Sequence, residues 1–357
     1  MDSAQKVVFL PKFSVFMKVL LTGAAGFIGF FVAKALIEQG VEVVGIDDLN
    51  DYYDPQLKKD RLGKLGVDDQ PFESGKYYSG KEGFSFALVR IEVQEQVNAV
   101  FARHQFDAVC HLAAQAGVRY SLENPTVYAQ SNLVGFLHIL EACRHNHIQH
   151  LVYASSSSVY GMSDQVPFST DARVDQPISL YAATKKSNEL MAYTYAHLFG
   201  MYTTGLRFFT VYGPWGRPDM APMLFAKAIK NQQPIAVFNH GNMERDFTYV
   251  GDIARGVCAT LVKNPADVPQ RDKYALYNIG NNHPVSLADF IELLEAQMQQ
   301  KAIKDYQPMQ PGDVVRTWAD TTPLMNDYQY QPSTPLAQGI SSFVDWYQIY
   351  TQKNKNL

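Results

Sequence analysis

The sequence predicts an α/β protein, a doubly wound parallel sheet followed by a smaller C-terminal α+β lobe. Three observations carry this. Short apolar, β-rich runs alternate with helix-length stretches from Lys18 to Arg207. The first run feeds a glycine-punctuated turn that opens a helix. After Arg207 the rhythm breaks, with prolines at Pro214, Pro218, Pro222 and Pro234. A chain of 357 residues is too long for one ordinary core, and 46% apolar with 18% charged residues excludes global disorder.

The elements follow in order. The run KVLL at 18–21 is the first strand, and the turn TGAAGFIG follows it. A helix is expected over 30–39, closed by Gly40, with a second strand over 41–46 that ends on Asp47 and Asp48. Residues 50–83 interrupt the alternation, apart from a helix near 55–65. Then come a strand over 84–91, a helix over 95–104, a strand over 108–112 and a long helix over 126–146. A strand over 151–154 runs into four serines, and a long helix over 181–199 precedes a strand over 202–207. Strands alternating with helices imply a parallel sheet covered on both faces. Past this point the reading places helices near 222–231, 252–262 and 287–298, and strands near 235–238 and 275–279. The expected organisation is an N-terminal extension, 1–16, read as an upstream start and not as a targeting signal; a cofactor-binding domain, 17–210; and a lobe, 211–357, given mainly to substrate, with an interleaved boundary.

Lys plus Arg total 31 against 35 Asp plus Glu, a net charge of −4, which gives no electrostatic reason to expect nucleic acid or an anionic membrane as partner. No apolar run is long enough to span a bilayer. The three cysteines are scattered and form no CxxC, so neither a disulfide scaffold nor a metal site is expected, and a reducing, cytoplasmic setting fits.

Gly23, Gly26 and Gly29 stand where a strand becomes a helix. The first permits the tight turn, the second lets backbone approach a pyrophosphate, and the third lets the helix pack on the strand; Phe27 and Ile28 open the helix. Asp47 ends the next strand, where an acid accepts hydrogen bonds from a ribose diol and repels a 2′-phosphate. The context is that of a Rossmann-type site for NAD in preference to NADP. Tyr181 and Lys185 form a YxxxK pair, and positions i and i+4 of a helix share a face. A cation beside a phenol lowers its pKa, which equips the pair for proton transfer. The serine run in Ala154–Gly161 places a hydroxyl where it can polarise the substrate oxygen.

The spacing GxxGxxG, the serine-rich strand end and YxxxK together resemble the extended short-chain dehydrogenase/reductase family, and the resemblance extends over nearly the whole chain from Met17. It implies Ser156 as the catalytic hydroxyl. In the 4,6-dehydratases of this family Asp and Glu follow that hydroxyl and eliminate water; Ser157 and Ser158 stand here, which leaves oxidation and reduction at one carbon and hydrogen bonds to a neighbouring substituent. The segment from His111 to Ser121, and that from Arg207 to Met220, resemble nucleotide-sugar epimerases and in particular the UDP-glucuronate 4-epimerases. That likeness implies Asn50, Leu112, Ala113 and Ala114 at the cofactor, and Thr210 where galactose-type enzymes carry Asn. It implies Arg245 on the diphosphate and Asp313 on the nucleotide. A UDP-uronate carries about three negative charges, for which Arg119, Arg217, Arg245 and Arg316 are the candidate partners. The implied activity is NAD-dependent C4 epimerisation of UDP-glucuronate to UDP-galacturonate. A neutral UDP-sugar, or NAD binding without catalysis, is the alternative. The likeness also implies a homodimer through the two long helices.

One departure stands out. Where the family's third strand ends in an Asp that contacts adenine, this sequence has Arg90, which cannot accept that bond. Arg90 can stack on the base instead, or Glu92 can take the bond.

Overall fold

A computed structural model describes residues 17–269, 271–310 and 312–353. The proposed extension, 1–16, lies outside the described residues. The strands are β1 (Lys18–Thr22), β2 (Glu42–Asp47), β3 (Tyr77–Ser79), β4 (Phe84–Leu88), β5 (Ala108–His111), β6 (His150–Ser156), β7 (Tyr202–Phe208), β8 (Thr210–Tyr212), β9 (Pro234–Val237), β10 (Glu244–Tyr249), β11 (Tyr274–Ile279), β12 (Pro284–Ser286) and β13 (Ile303–Tyr306). Eight of them form one sheet in the order β11-β7-β6-β5-β1-β2-β4-β3, parallel except for the β3 edge. Strand order reverses between β1 and β5, so a crevice opens there at the carboxyl ends of the strands.

Alternation along β1 builds the two faces. Val19 and Leu21 point into a core shared with Phe30, Ala33 and Leu36 of the helix Phe27–Glu38, while Leu20 points into a core shared with Val97, Ile139 and Leu140. The helix Phe27–Glu38 starts earlier than expected, because Gly26 caps it with backbone alone. It ends in a Schellman turn, in which Gly40 N donates to Ile37 O at 2.9 Å and Val41 N to Leu36 O at 3.1 Å.

Three expectations need correction. The strand expected near 275–279, placed in the smaller lobe, is β11 and pairs in parallel with β7 at the sheet edge. The helix Val250–Val262 also leaves the lobe and packs its Ile253, Val257 and Leu261 into the core of the helix Phe27–Glu38. The long helix expected over 126–146 is interrupted by a π-helical stretch, Ala129–Gly135. The lobe itself is built on a three-stranded sheet, β12-β10-β8, and the pair β13-β9. Its core joins Phe225, Phe247, Phe290 and Phe343, the last from a helix, Leu336–Lys353, that the sequence reading does not place.

Beneath the crevice, Arg207 of β7 is 1% exposed and meets Glu189 of the helix Leu180–Phe199, 0% exposed, through Nε to Oε1 at 2.8 Å and Nη2 to Oε2 at 2.9 Å. Ser155 Oγ adds a bond to Glu189 Oε1 at 2.7 Å. Glu189→Leu strands the guanidinium without its counter-charge. The expected loss is about 3–5 kcal/mol, read as a fall in the urea midpoint.

Candidate active site

The crevice is a cleft of about 1130 Å³. Its floor is the turn after β1. Gly23 adopts φ +71°, and a Cβ on Gly29 would stand 2.0 Å from the Gly23 carbonyl oxygen, so the helix closes on the strand as no side chain would allow. The helix Phe27–Glu38 has neither a side-chain cap nor an acid in its first turn, so its leading N–H groups stay free for an anion. At the end of β2, Asp47 accepts from Ala25 N at 3.2 Å and Leu49 N at 2.9 Å. Burial raises its pKa, against the pull of Lys58. The Lys58 ammonium also grips Asn50, at 2.8 Å from its carbonyl oxygen and 2.9 Å from Oδ1. Gly23, Gly26, Phe27, Ile28 and Gly29, with Asp47 and Asn50, all face this half of the cleft. These residues fit a dinucleotide laid across the reversal point, with its pyrophosphate on the helix N-terminus.

The cleft brings together Ser156, Tyr181 and Lys185. Ser179 caps the helix Leu180–Phe199 by accepting from Ala182 N at 3.1 Å, which places Tyr181 and Lys185 on its first turns. Lys185 Nζ donates to the Ala154 carbonyl of β6 at 2.9 Å. β6 then delivers Ser156, whose Oγ accepts from Ser158 N at 3.2 Å. The Ser156 hydroxyl itself donates to Ser158 Oγ at 3.2 Å. Burial raises the Tyr181 pKa, while the nearby Ser156 hydroxyl and the charge of Arg217 oppose the rise. Burial brings Lys185 down to about 8. Leu112, Ala113 and Ala114 form the facing wall, pinned by Asn132. Its Oδ1 accepts from Gln115 N at 2.8 Å and its Nδ2 donates to Thr184 Oγ1 at 3.0 Å. The π-helical stretch leaves the Asn132 carbonyl for Asn188 Nδ2, at 2.6 Å.

Cations gather at the far end, where Ser157, Ser158, Thr210, Arg119, Arg217, Arg245 and Asp313 all line the cleft. Arg119 bonds Asp313 at 3.0 Å and lies 4.6 Å over the Phe238 ring. Among the described residues Arg245 Nη1 hydrogen-bonds to carbonyls alone, of Glu244 at 2.9 Å and Val315 at 3.1 Å; burial lowers its pKa, against the charge of Asp313. Arg316, a candidate from sequence, stands outside the cleft. It pairs with Glu244 at the edge of the small sheet, where the two residues bridge. Arg90 likewise misses the wall, because β4 ends at Leu88 and Arg90 begins a surface turn.

Sequence reasoning passed over a strap across the cleft. Tyr52 Oη donates to Asp219 Oδ2 at 3.0 Å, and Asp219 holds Arg217 through Nε at 3.0 Å and Nη2 at 2.5 Å. Burial would raise the Asp219 pKa, but Arg217 outweighs it and holds the carboxyl below its usual range. Asp219 sits inside the GRPDM segment, whereas nothing around Tyr52 signals its reach. Among the described residues no cluster of His, Cys, Asp and Glu has the make-up of a metal site, and no helix is long and apolar enough to cross a membrane.

Residues 19–280 match the model of the NAD dependent epimerase/dehydratase family. The chain belongs to that family. Among its relatives, the protein CapI of Staphylococcus aureus is 51% identical over 350 residues, 94% of this chain and 100% of CapI. UDP-glucuronate 4-epimerase 4 of Arabidopsis thaliana is 43% identical over 348 residues, 94% of this chain and 76% of that protein. In structure, the UDP-glucuronic acid 4-epimerase of Bacillus cereus, solved with UDP-glucuronic acid and NAD, superposes with a TM-score of 0.83 at 32% identity, covering 94% of this chain and 100% of that one. For this member of the NAD dependent epimerase/dehydratase family, the buried ammonium sets a pH limit. Lys185 is cationic below about pH 8 and neutral above it. A neutral amine no longer supports a phenolate at Tyr181, so turnover should decline on the alkaline side. Lys185→Met should cost about 100-fold or more and erase that inflection in the pH–rate profile.

Proposed function

We propose that the protein epimerises UDP-glucuronate to UDP-galacturonate at C4, through a transient 4-keto sugar. In this reading Tyr181 takes the 4-OH proton, Ser156 bridges the two oxygens and Lys185 steadies the phenolate. Bound NAD supplies the hydride chemistry. The keto sugar turns over and regains hydrogen on its opposite face while Tyr181 returns the proton. Arg245, with Arg119 and Asp313 beside it, anchors the remote diphosphate and nucleotide, which leaves the sugar free to rotate. Ser157 and Ser158 carry no carboxyl group, so elimination of water has no acid or base at this place.

One observation carries the choice of an acidic sugar. Arg217, held in place by Asp219, lines the same cleft as Tyr181. The carboxylate of a uronate is borne on the carbon next to the one that reacts, and a cation beside the catalytic phenol suits it. Relatives named for UDP-glucuronate support the same choice. We also propose a cytoplasmic homodimer. The helix Leu180–Phe199 leaves Leu190, Tyr193 and Leu198 exposed, and Leu137 of the helix Phe136–His145 lies exposed as well. A sedimentation coefficient of a monomer would refute that part.

The deciding assay supplies UDP-glucuronate with NAD in catalytic amount and separates the products. UDP-galacturonate should form with no net NADH, and Tyr181→Phe should lose about 1,000-fold or more in turnover. Normal turnover by that variant overturns the mechanism. Equal or better turnover of UDP-glucose than of UDP-glucuronate overturns the substrate.

A further inference from the structure

The segment between β2 and β3 takes no part in the proposed proton and hydride transfers, yet it contains a fully buried guanidinium. Arg61, on the helix Pro55–Lys64, is 0% exposed and forms no ion pair among the described residues. Its donors go to two distant parts of the chain. Nη1 donates to the Ala25 carbonyl of the glycine turn at 2.9 Å and to Tyr53 Oη at 2.7 Å. Nε and Nη2 converge on the Trp215 carbonyl, at 3.2 and 2.7 Å, and Nη2 also reaches the Gly216 carbonyl at 3.4 Å. One buried group thus ties the cofactor seat to the loop that leads to Arg217. A cation buried without a counter-charge is costly, and here fixed carbonyl and phenol dipoles alone offset it.

What the arrangement fixes is the backbone at Trp215. Its φ is +62°, in the left-handed region that a bulky side chain rarely enters. A residue stays there only where its surroundings over-determine it. The forked bond from Arg61 seizes its carbonyl, and its indole packs on Phe30, Trp346 and Tyr350, with ring centroids 5.9, 5.3 and 5.2 Å away. Two residues on, the chain carries Arg217 along the cleft wall. The other side of that loop is held from the same segment, because Tyr52 Oη bonds Asp219 and Asp219 grips Arg217 through Nε and Nη2.

We propose that Arg61 and Tyr52 are positioning residues for Arg217, Arg61 acting through the main chain of Trp215 and Tyr52 through Asp219. Together they aim the guanidinium so that the cleft favours a sugar with a carboxylate beside the reacting carbon over one with a hydroxymethyl group there. A cation on a loose loop attracts any anion, whereas a fork held in one orientation reads a carboxylate. The proposal rests on the uronate reading and adds the residues that make Arg217 selective.

The test measures dissociation constants for UDP-glucuronate, UDP-glucose and UDP by calorimetry, with NAD present and in a Tyr181→Phe background so that nothing turns over. That parent should favour UDP-glucuronate over UDP-glucose by about 10- to 100-fold, the range of a hydrogen bond to a charged group. Arg61→Lys keeps the charge and loses the fork, so the ratio should shrink to about threefold or less. Tyr52→Phe removes one hydroxyl from a partly exposed side chain and should reduce the ratio by about threefold. UDP, which lacks the sugar, should bind both variants within about twofold of the parent. A ratio that Arg217→Ala abolishes but that either Arg61→Lys or Tyr52→Phe leaves undiminished overturns the proposal alone. So does a loss of UDP affinity as large as the loss in the ratio, since that is general damage to the cleft. Should Arg61→Lys fail to fold, Tyr52→Phe decides by the same criteria. A parent ratio near one, unmoved by Arg217→Ala, overturns the uronate reading and this proposal with it.

Discussion

Tyr181, Lys185 and Glu189 stand on successive turns of one helix face, and the docking of that face onto β6 and β7 positions the groups to which we assign the chemistry. Glu189 is clamped by Arg207 and Ser155. Lys185 is tied to the backbone of β6 at Ala154. With those two turns fixed, Tyr181 has no freedom to drift from Ser156, which the same strand carries. The clamp is ionic and dry, so its worth lies in geometry: a bidentate carboxylate and guanidinium accept one orientation, where apolar packing tolerates several.

The cleft is graded in charge from end to end. Asp47, Asp48 and Glu92 lie toward β2 and β4, and Arg119, Arg217 and Arg245 lie toward the smaller lobe. Diol and amino groups donate hydrogen bonds and suit the acidic end. Diphosphate and carboxylate carry negative charge and suit the basic end. In the proposed function two ligands would lie in one continuous crevice with little competition for each other's seats, and their reacting rings would meet between them at Tyr181. Three of the four arginines singled out from sequence are buffered by a carboxylate, Asp313, Asp219 or Glu244, whereas Arg245 is met by carbonyls. Arg245 thus makes no ion pair among the described residues, although the charge of Asp313 reaches it.

Local patterns made much of this readable. The strand–turn–helix at Lys18–Glu38, the YxxxK spacing and the serine run are each contiguous, so period and glycine placement reveal them. The residues read from them, from Gly23 to Lys185, line a single cleft together with those the resemblance implied, among them Thr210, Arg245 and Asp313. What was hidden joins distant residues. Nothing in the residues near Tyr52 announces Asp219, and neither Arg207 nor Glu189 reveals its partner. β11 resembles any short strand until its register with β7 is known. Arg316 misled because a surface arginine and a ligand-binding one look alike in sequence, and only its pairing with Glu244 separates them.

That late strand has a bearing on how the protein is made. Until Tyr274–Ile279 has emerged, β7 is an open sheet edge with unpaired amides, and the apolar face of the helix Phe27–Glu38 lacks the cover of Val250–Val262. Nascent chains bearing the complete glycine turn and the catalytic helix therefore still expose adhesive surface. Synthesis must run on to Ile279 before the larger layer can seal, and this is the interval in which chaperones would be most needed.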